Sequence, residues 1–285
     1  MPELPEVESL VRYLSERMLG RHVAGLELAS IAALKTYDPS PTALGGAEVT
    51  GLGRRGKFLY VDCDGIFFAL HLARAGWLRW YDELSPKPPR PGGPIALRLR
   101  LVEGGGFDAT EAGTKKGLAA YVVRSLDAVP GIADLGVDPL DPAFTVDALA
   151  TMAKQRNSQV KGLLTDQKLI AGVGNAYSDE ALHVARLSPF KMTSTLTAEE
   201  VGALHAAVVA VLSDAVERSK DTPAGELKSE KKSGLRVHGK TGLPCPVCGD
   251  AVREVSFANK SLQYCATCQT GGKPLADRRL SRLLK

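Results

Sequence analysis

The sequence lacks any apolar run approaching the roughly 18 residues that a membrane-spanning helix requires, which excludes an integral helical membrane protein. It also lacks the basic-then-apolar order of a secretory signal: MPELPEVESL is acidic and proline-containing, so a cytoplasmic location is expected. Cysteine is scarce and odd in number. Four of the five cysteines crowd into Cys245 to Cys268, a distribution that argues against a secreted disulfide framework and for a metal site. No tandem repeat is present. Net charge is only +4, but residues 219–285 carry 13 Lys and Arg against 6 Asp and Glu, while residues 1–218 carry 23 against 26. The basic tail is either a solvated face or a nucleic-acid surface, and a metal knuckle inside it favours the latter.

What is present reads as two domains, the number that 285 residues imply. Val7, Leu10, Val11, Leu14 and Met18 recur at helical spacing, with Pro5 as a first-turn proline and Glu6 as a first-turn acid, so a helix begins almost at once. From Val23 to Val123 short β-branched and aromatic runs follow, among them Lys57 to Asp62, Ile66 to Leu72, Ile95 to Val102 and Ala119 to Val123, punctuated by Gly and Pro. This pattern predicts an antiparallel sandwich or barrel. After the LGVDPLD turn at 135–141, helices are predicted over Val146 to Arg156, Val160 to Thr165, Ala176 to Ala185 and Ala198 to Arg218. Residues 219–243 are polar, rich in Gly and Lys and poor in apolar anchors, and read as a mobile loop or linker. The expected divisions are therefore 1–130, 131–218, 219–243 and 244–285, an α+β chain.

Cys245-Pro-Val-Cys248 and Cys265-Ala-Thr-Cys268, sixteen residues apart, have zinc-ribbon spacing and offer four thiolates to one structural Zn²⁺. A pair of redox dithiols is the competing reading. The hairpin between the knuckles, Asp250 to Tyr264, would carry Lys260 near its turn. Cys63, alone in a strand, reads as a buried small hydrophobe. At the other end, removal of Met1 would free Pro2 as a secondary amine with a pKa of about 8, a nucleophile able to form a cationic iminium at a sugar C1'. Glu3 and Glu6 lie within a turn of it and could move protons or stabilise positive charge. Read alone, the same residues could be a frayed end and a helix-dipole partner.

Several segments, in the right order along the whole chain, resemble the formamidopyrimidine-DNA glycosylase/endonuclease VIII (Fpg/Nei) family. MPELPEVE resembles its amino-terminal signature, Gly53-Arg-Arg-Gly-Lys57-Phe58 its active-site lysine strand, and His71-Leu72 the start of its HLGMSG segment. Leu135-Gly136 to Pro139-Leu140 resembles its LGPEPL turn. Lys161, then Asp166-Gln167 to Ile170-Ala-Gly-Val-Gly-Asn175-Ala-Tyr177, resembles its helix-two-turn-helix signature, and the ribbon ends in CxxCQ. The resemblance implies a helix-led amino-terminal β-sandwich and a carboxy-terminal helix-two-turn-helix bundle with the zinc ribbon. It implies a monomeric base-excision-repair glycosylase and abasic-site lyase acting on damaged double-stranded DNA, nucleoid-associated when bound, with no organic cofactor.

By the same resemblance, Pro2 is the Schiff-base nucleophile, Glu3 the proton-transferring acid, Glu6 an active-site carboxylate and Lys57 a phosphate or general-acid partner. His71, Lys161 and Asn175 would contact DNA. Asn175 has an independent warrant at a helix start, where backbone N–H groups favour phosphate, although an N-cap role would also fit. His71 could instead be a satisfied strand-end histidine, and Lys57 and Lys161 solvated lysines. The match breaks at informative places. Arg74 stands where the family has an intercalating methionine, Thr114-Lys115-Lys116 where a DPRRFG loop stands, His238 and Lys240 in place of Tyr and Arg, and Lys260 for the ribbon's phosphate-clamping arginine. Lysine keeps the charge but loses the bidentate fork. These departures leave three readings open: an oxidised-base glycosylase, an endonuclease VIII-like enzyme for oxidised pyrimidines or other lesions, and a catalytically silent damaged-DNA-binding protein.

Overall fold

A computed structural model of the chain describes residues 1–112, 116–257 and 260–276; Thr114, Lys115 and the basic end 278–285 lie outside the described residues. The chain forms two compact units, Met1–Leu135 with Val216–Glu230, and Gly136–Ala215 with Lys231–Lys285. No helix among the described residues is long and apolar enough to cross a membrane.

In the first unit, helix α1 (Leu4–Met18) buries Val7, Leu10, Leu14 and Met18, the stripe that the 3.6-residue period predicts. It starts one residue earlier than the proline suggested. Leu4 is the first helical residue and Pro5 the second, still among the positions whose N–H has no helical acceptor. Eight strands follow: β1 (Val23–Leu28), β2 (Val49–Arg55), β3 (Phe58–Cys63), β4 (Ile66–His71), β5 (Gly76–Tyr81), β6 (Ile95–Leu101), β7 (Gly106–Glu111) and β8 (Ala119–Val123). They make two antiparallel four-stranded sheets, ordered β1-β6-β7-β5 and β2-β3-β4-β8. One core joins both sheets and α1, with Leu59, Phe68, Leu70, Leu78, Leu97, Leu99 and Phe107 among its members. Arg54 fixes α1 to β2 by an ion pair with Glu8 at 2.9 Å, with the Arg54 side chain 8% exposed.

The expectation of a loop over 219–243 is corrected. Ala224 and Leu227 are buried in the core of the first unit, Ser219 hydrogen-bonds Ser9 of α1 at 2.6 Å, and helix α6 spans Leu227–Gly234. Two apolar residues three apart suffice to seat a segment that looks polar when averaged.

The second unit carries α2 (Val146–Gln155), α3 (Val160–Thr165), α4 (Asn175–Val184) and most of α5 (Ala198–Arg218), then a hairpin of β9 (Val252–Phe257) and β10 (Lys260–Cys265) capped by α7 (Ala266–Thr270). Its entry turn depends on Gly136, where a Cβ would lie 2.2 Å from the Leu169 carbonyl oxygen. The close approach lets Gly136 and Val137 donate to the carbonyls of Gln167 and Leu169.

Candidate active-site terminus, helix α4 and the zinc centre

The first residues are ordered by α1. Glu3 is its N-cap, and a reciprocal capping box operates: the Glu3 side chain accepts the Glu6 backbone N–H, and Glu6 Oε2 accepts the Glu3 N–H at 2.7 Å. Both glutamates are 2% exposed and Pro2 is buried, so the terminus is not frayed. The two carboxylates that could serve chemistry are also what hold Pro2 at the head of the helix. Met1, by contrast, is 41% exposed.

Helix α1 packs on β2 and β3, and the loop joining those strands carries Lys57. Expected within a strand, Lys57 instead occupies a two-residue hairpin turn between paired Arg55 and Phe58. Gly56 takes φ +55° at the first turn position, which glycine permits without cost. Lys57 is 9% exposed, not a solvated edge lysine. His71 ends β4 opposite Phe58, with ring centroids 4.7 Å apart. Burial, and then the nearby Lys57 charge, lower its pKa to about 4, so it is neutral at physiological pH. Arg74 is exposed in the β4–β5 turn. Ala73 beside it adopts φ +49°, a left-handed conformation that an L side chain tolerates poorly, at the position held by glycine in HLGMSG. Glu111 is buried and its Oε1 accepts the N–H groups of Gly117 and Leu118.

In the second unit the turn preceding α4 is shaped by Gln167, whose Nε2 donates to the carbonyls of Thr165 and Val173 and whose Oε1 accepts the Gly172 N–H. Gly174, not Asn175, is the N-cap; Asn175 is the first helical residue, and its Nδ2 donates to the Ser261 carbonyl of β10 at 2.7 Å. Lys161 has an internal place. Its Nζ donates to the Asn175 carbonyl, Ser178 Oγ and Asp179 Oδ1 at 3.1, 2.7 and 2.6 Å. All three ammonium protons are thereby matched, and Lys161 supports the first turn of α4.

Asp179 and Glu180, which the sequence reading passed over, anchor the rest of this unit. Asp179 Oδ2 pairs with His238 Nδ1 at 2.7 Å and accepts the Gln263 N–H at 3.1 Å. Glu180 accepts three successive backbone N–H groups, those of Arg236, Val237 and His238, at 2.8 to 3.0 Å. Burial raises the Glu180 carboxyl above its ordinary range against the pull of these donors. The signal was present in the sequence as adjacent acids in a helix stretch with no other carboxylate, lysine or arginine, NAYSDEALHV.

The thiol sulfurs of Cys245, Cys248, Cys265 and Cys268 lie within 4.8 Å of one another. Tetrahedral Zn–S bonds of about 2.3 Å place sulfurs roughly 3.8 Å apart; the Cys245–Cys268 and Cys248–Cys265 separations are 3.9 and 3.4 Å. The donor set fits zinc, and these separations are far from the roughly 2.05 Å of a disulfide. Lys260 opens β10, in register with Phe257 beside the hairpin turn. Cys63 lies in the first core with its thiol pushed up to about 12 by burial and then by the Asp62 charge, which makes it inert.

Residues 1–112 match the formamidopyrimidine-DNA glycosylase N-terminal domain, 135–225 its H2TH domain, and 242–271 the zinc finger found in Fpg and isoleucyl-tRNA synthetase. A formamidopyrimidine-DNA glycosylase from Desulforamulus reducens is 32% identical over 278 residues, 94% of this chain and 99% of the relative. The chain belongs to the formamidopyrimidine-DNA glycosylase family. The crystal structure of the MutM (Fpg) protein from Thermus thermophilus, 32% identical, superposes with a TM-score of 0.80 over 96% of this chain and all of that one. An uncharacterized formamidopyrimidine-DNA glycosylase-like protein of Mycobacterium tuberculosis is 61% identical over 151 residues, 53% of this chain and 94% of the relative. Like its family, the chain is a DNA-binding repair glycosylase by type and carries one structural zinc on its four cysteines. The family's helix-two-turn-helix match contains Lys161 and Asn175, and its N-terminal match contains Pro2, Glu3, Glu6, Lys57, His71 and Arg74.

Proposed function

We propose that this chain is a bifunctional DNA glycosylase and abasic-site lyase for oxidised bases, with the Pro2 amine as nucleophile. The observation that carries this reading is the buried Glu3–Glu6 capping box, which holds Pro2 at a fixed point with two carboxylates beside it. Both carboxylates cap the helix. On this reading the same two nearly inaccessible groups, one and four residues from Pro2, also serve as the acid–base groups of its amine.

Once Met1 has been removed, the neutral secondary amine attacks C1' of a nucleotide extruded from the duplex, and the glycosidic C1'–N bond breaks as the base departs with a proton. Pro2, being secondary, gives an iminium that is cationic without protonation and draws electrons from C2'. Glu3 moves the protons: one to the ring oxygen as the sugar opens, and one from C2' as the C3'–O bond breaks in β-elimination. Glu6 holds the Glu3 backbone and contributes negative charge near the iminium. Lys57 grips a phosphate of the extruded nucleotide, and His71, neutral, donates a hydrogen bond without adding charge. Arg74, exposed at its turn, occupies the space the nucleotide leaves. Asn175 at the head of α4 and Lys260 on the ribbon contact further phosphates, and the protein acts as a monomer.

Borohydride trapping on a duplex with one abasic site tests the chemistry. Protein lacking Met1 should form a covalent adduct at Pro2 and cut the strand, Glu3→Gln should lose the elimination step, and protein retaining Met1, whose Pro2 nitrogen is an amide, should form no adduct. An adduct elsewhere in the chain would refute the assignment. Binding without any adduct, weakening steeply with salt as phosphate contacts require, would identify a silent binding protein.

A further inference from the structure

His183 has no part in the reading above. It lies on the last turn of α4, is 2% exposed, and its Nε2 sits 3.2 Å from Cys245 Sγ. Its Nδ1 is buried and has no hydrogen-bond partner. These facts fix the ring's proton. A zinc-bound cysteine is a thiolate, with no hydrogen to give, so the proton in the Nε2–Sγ contact belongs to the ring. Placing a proton on Nδ1 as well would bury an orphaned N–H, which folded proteins avoid more strictly than an orphaned lone pair.

The contact also completes a pattern. Asn175, Asp179 and His183 are spaced four apart and share one face of α4. Asn175 bonds the Ser261 carbonyl, Asp179 the Gln263 N–H, and His183 a zinc-ligating sulfur, so one polar stripe runs along the ribbon from β10 to the first knuckle.

We propose that His183 is an outer-sphere partner of the zinc centre, donating its Nε2–H to the Cys245 thiolate and clamping the first knuckle to α4. The bond draws charge from the sulfur, making it a poorer target for electrophiles, and slows the opening of the knuckle that must precede metal loss. His183 is a positioning residue; it does not ligate the metal, since all four ligand places are filled by thiolates. Loss of such outer-sphere partners typically weakens metal binding 10–100-fold.

The test uses the zinc-loaded full chain with His183→Leu, which removes the donor at similar volume, and His183→Gln, whose amide nitrogen can take the place of Nε2. Zinc transfer to a chromophoric chelator should quicken about 10-fold or more in His183→Leu and return to within a few-fold of the parent in His183→Gln. Alkylation of the ribbon thiols should follow the same order. Equal release from the parent and His183→Leu would overturn the proposal. So would a cobalt-substituted parent whose absorption reports three sulfurs and one nitrogen, because His183 would then be a ligand. Should His183→Leu fail to fold, ring ¹⁵N shifts of the unmodified protein decide: a protonated Nε2 and bare Nδ1 are expected, and a protonated Nδ1 would overturn the assignment.

Discussion

Replacing Glu180 with leucine should destabilise the second unit while sparing the first. The Glu180 carboxylate is the acceptor for the N–H groups of Arg236, Val237 and His238. Val237 is fully buried, so its donor would be orphaned at about 1–3 kcal/mol; the two flanking donors, partly exposed, recover some of their loss from water. A total near 3 kcal/mol follows. Burial raises this carboxyl against the pull of the three backbone donors. Glu180→Gln, whose single carbonyl oxygen can serve Val237 and His238 together as Oε1 does, should therefore cost only about 1–2 kcal/mol. With a urea slope of about 2 kcal/mol per molar, the leucine variant's midpoint should fall by roughly 1.5 M. Because the two units need not unfold together, the readout must be unit-specific. Both tryptophans, Trp77 and Trp80, lie in the first unit, so their fluorescence should keep its midpoint while zinc release shifts. A loss below 1 kcal/mol for leucine, or glutamine as damaging as leucine, would refute the account.

Ala73→Gly should stabilise the first unit by about 0.5–1 kcal/mol, the relief of a left-handed alanine less the entropy glycine adds to the unfolded chain, read as a rise in the tryptophan-detected Tm. Acid should weaken the same unit through His71. Its unfolded pKa near 6.5 exceeds the folded value of about 4, so the unfolded state binds the extra proton; stability is full above about pH 6.5 and is lost as pH falls towards 4, by about 2–3 kcal/mol. A His71→Phe variant should flatten that dependence of the urea midpoint. Zinc removal by a chelator should abolish protection of the β9–β10 amides in hydrogen exchange and leave those of β3 and β4 unchanged.

The layout was legible where periodicity was strong. The stripe of α1, the extent of α5 and of β8, and the zinc knuckles could be read because buried apolar or cysteine positions repeat at fixed spacing. Lys57 was misplaced by a residue because a strand-forming run gives no sign of where a hairpin turns; Gly56 was the better marker. The segment 219–243 misled because its buried residues, Ala224, Leu227, Leu235 and Val237 among them, are scattered between polar ones and show no sustained period. Asp179 and Glu180 were missed because their hydrogen-bond donors, at Lys161, 236–238 and Gln263, are far along the chain, and no local pattern announces a distant partner. For the same reason Lys161 could be recognised as a motif residue but not as an internal support.

The return of residues 216–230 to the first unit, with Ala224 and Leu227 in its core and Ser219 bonded to Ser9, constrains biosynthesis. A ribosome that has released residue 135 has delivered every strand of that unit but not its closing piece, which follows some 95 residues later. At roughly 5–20 residues per second the α1 terminus waits about 5–20 s for its last support. The first part of the protein to be made is thus completed only after helices α2 to α4 of the second unit have been synthesised, and an amino-terminal fragment ending at the unit boundary would leave an open gap in its core. The helices α2 to α4 are synthesised before the first unit is complete and the ribbon cysteines only after it, so a chain that stops before residue 230 should have neither a fully closed first core nor a metal-binding ribbon.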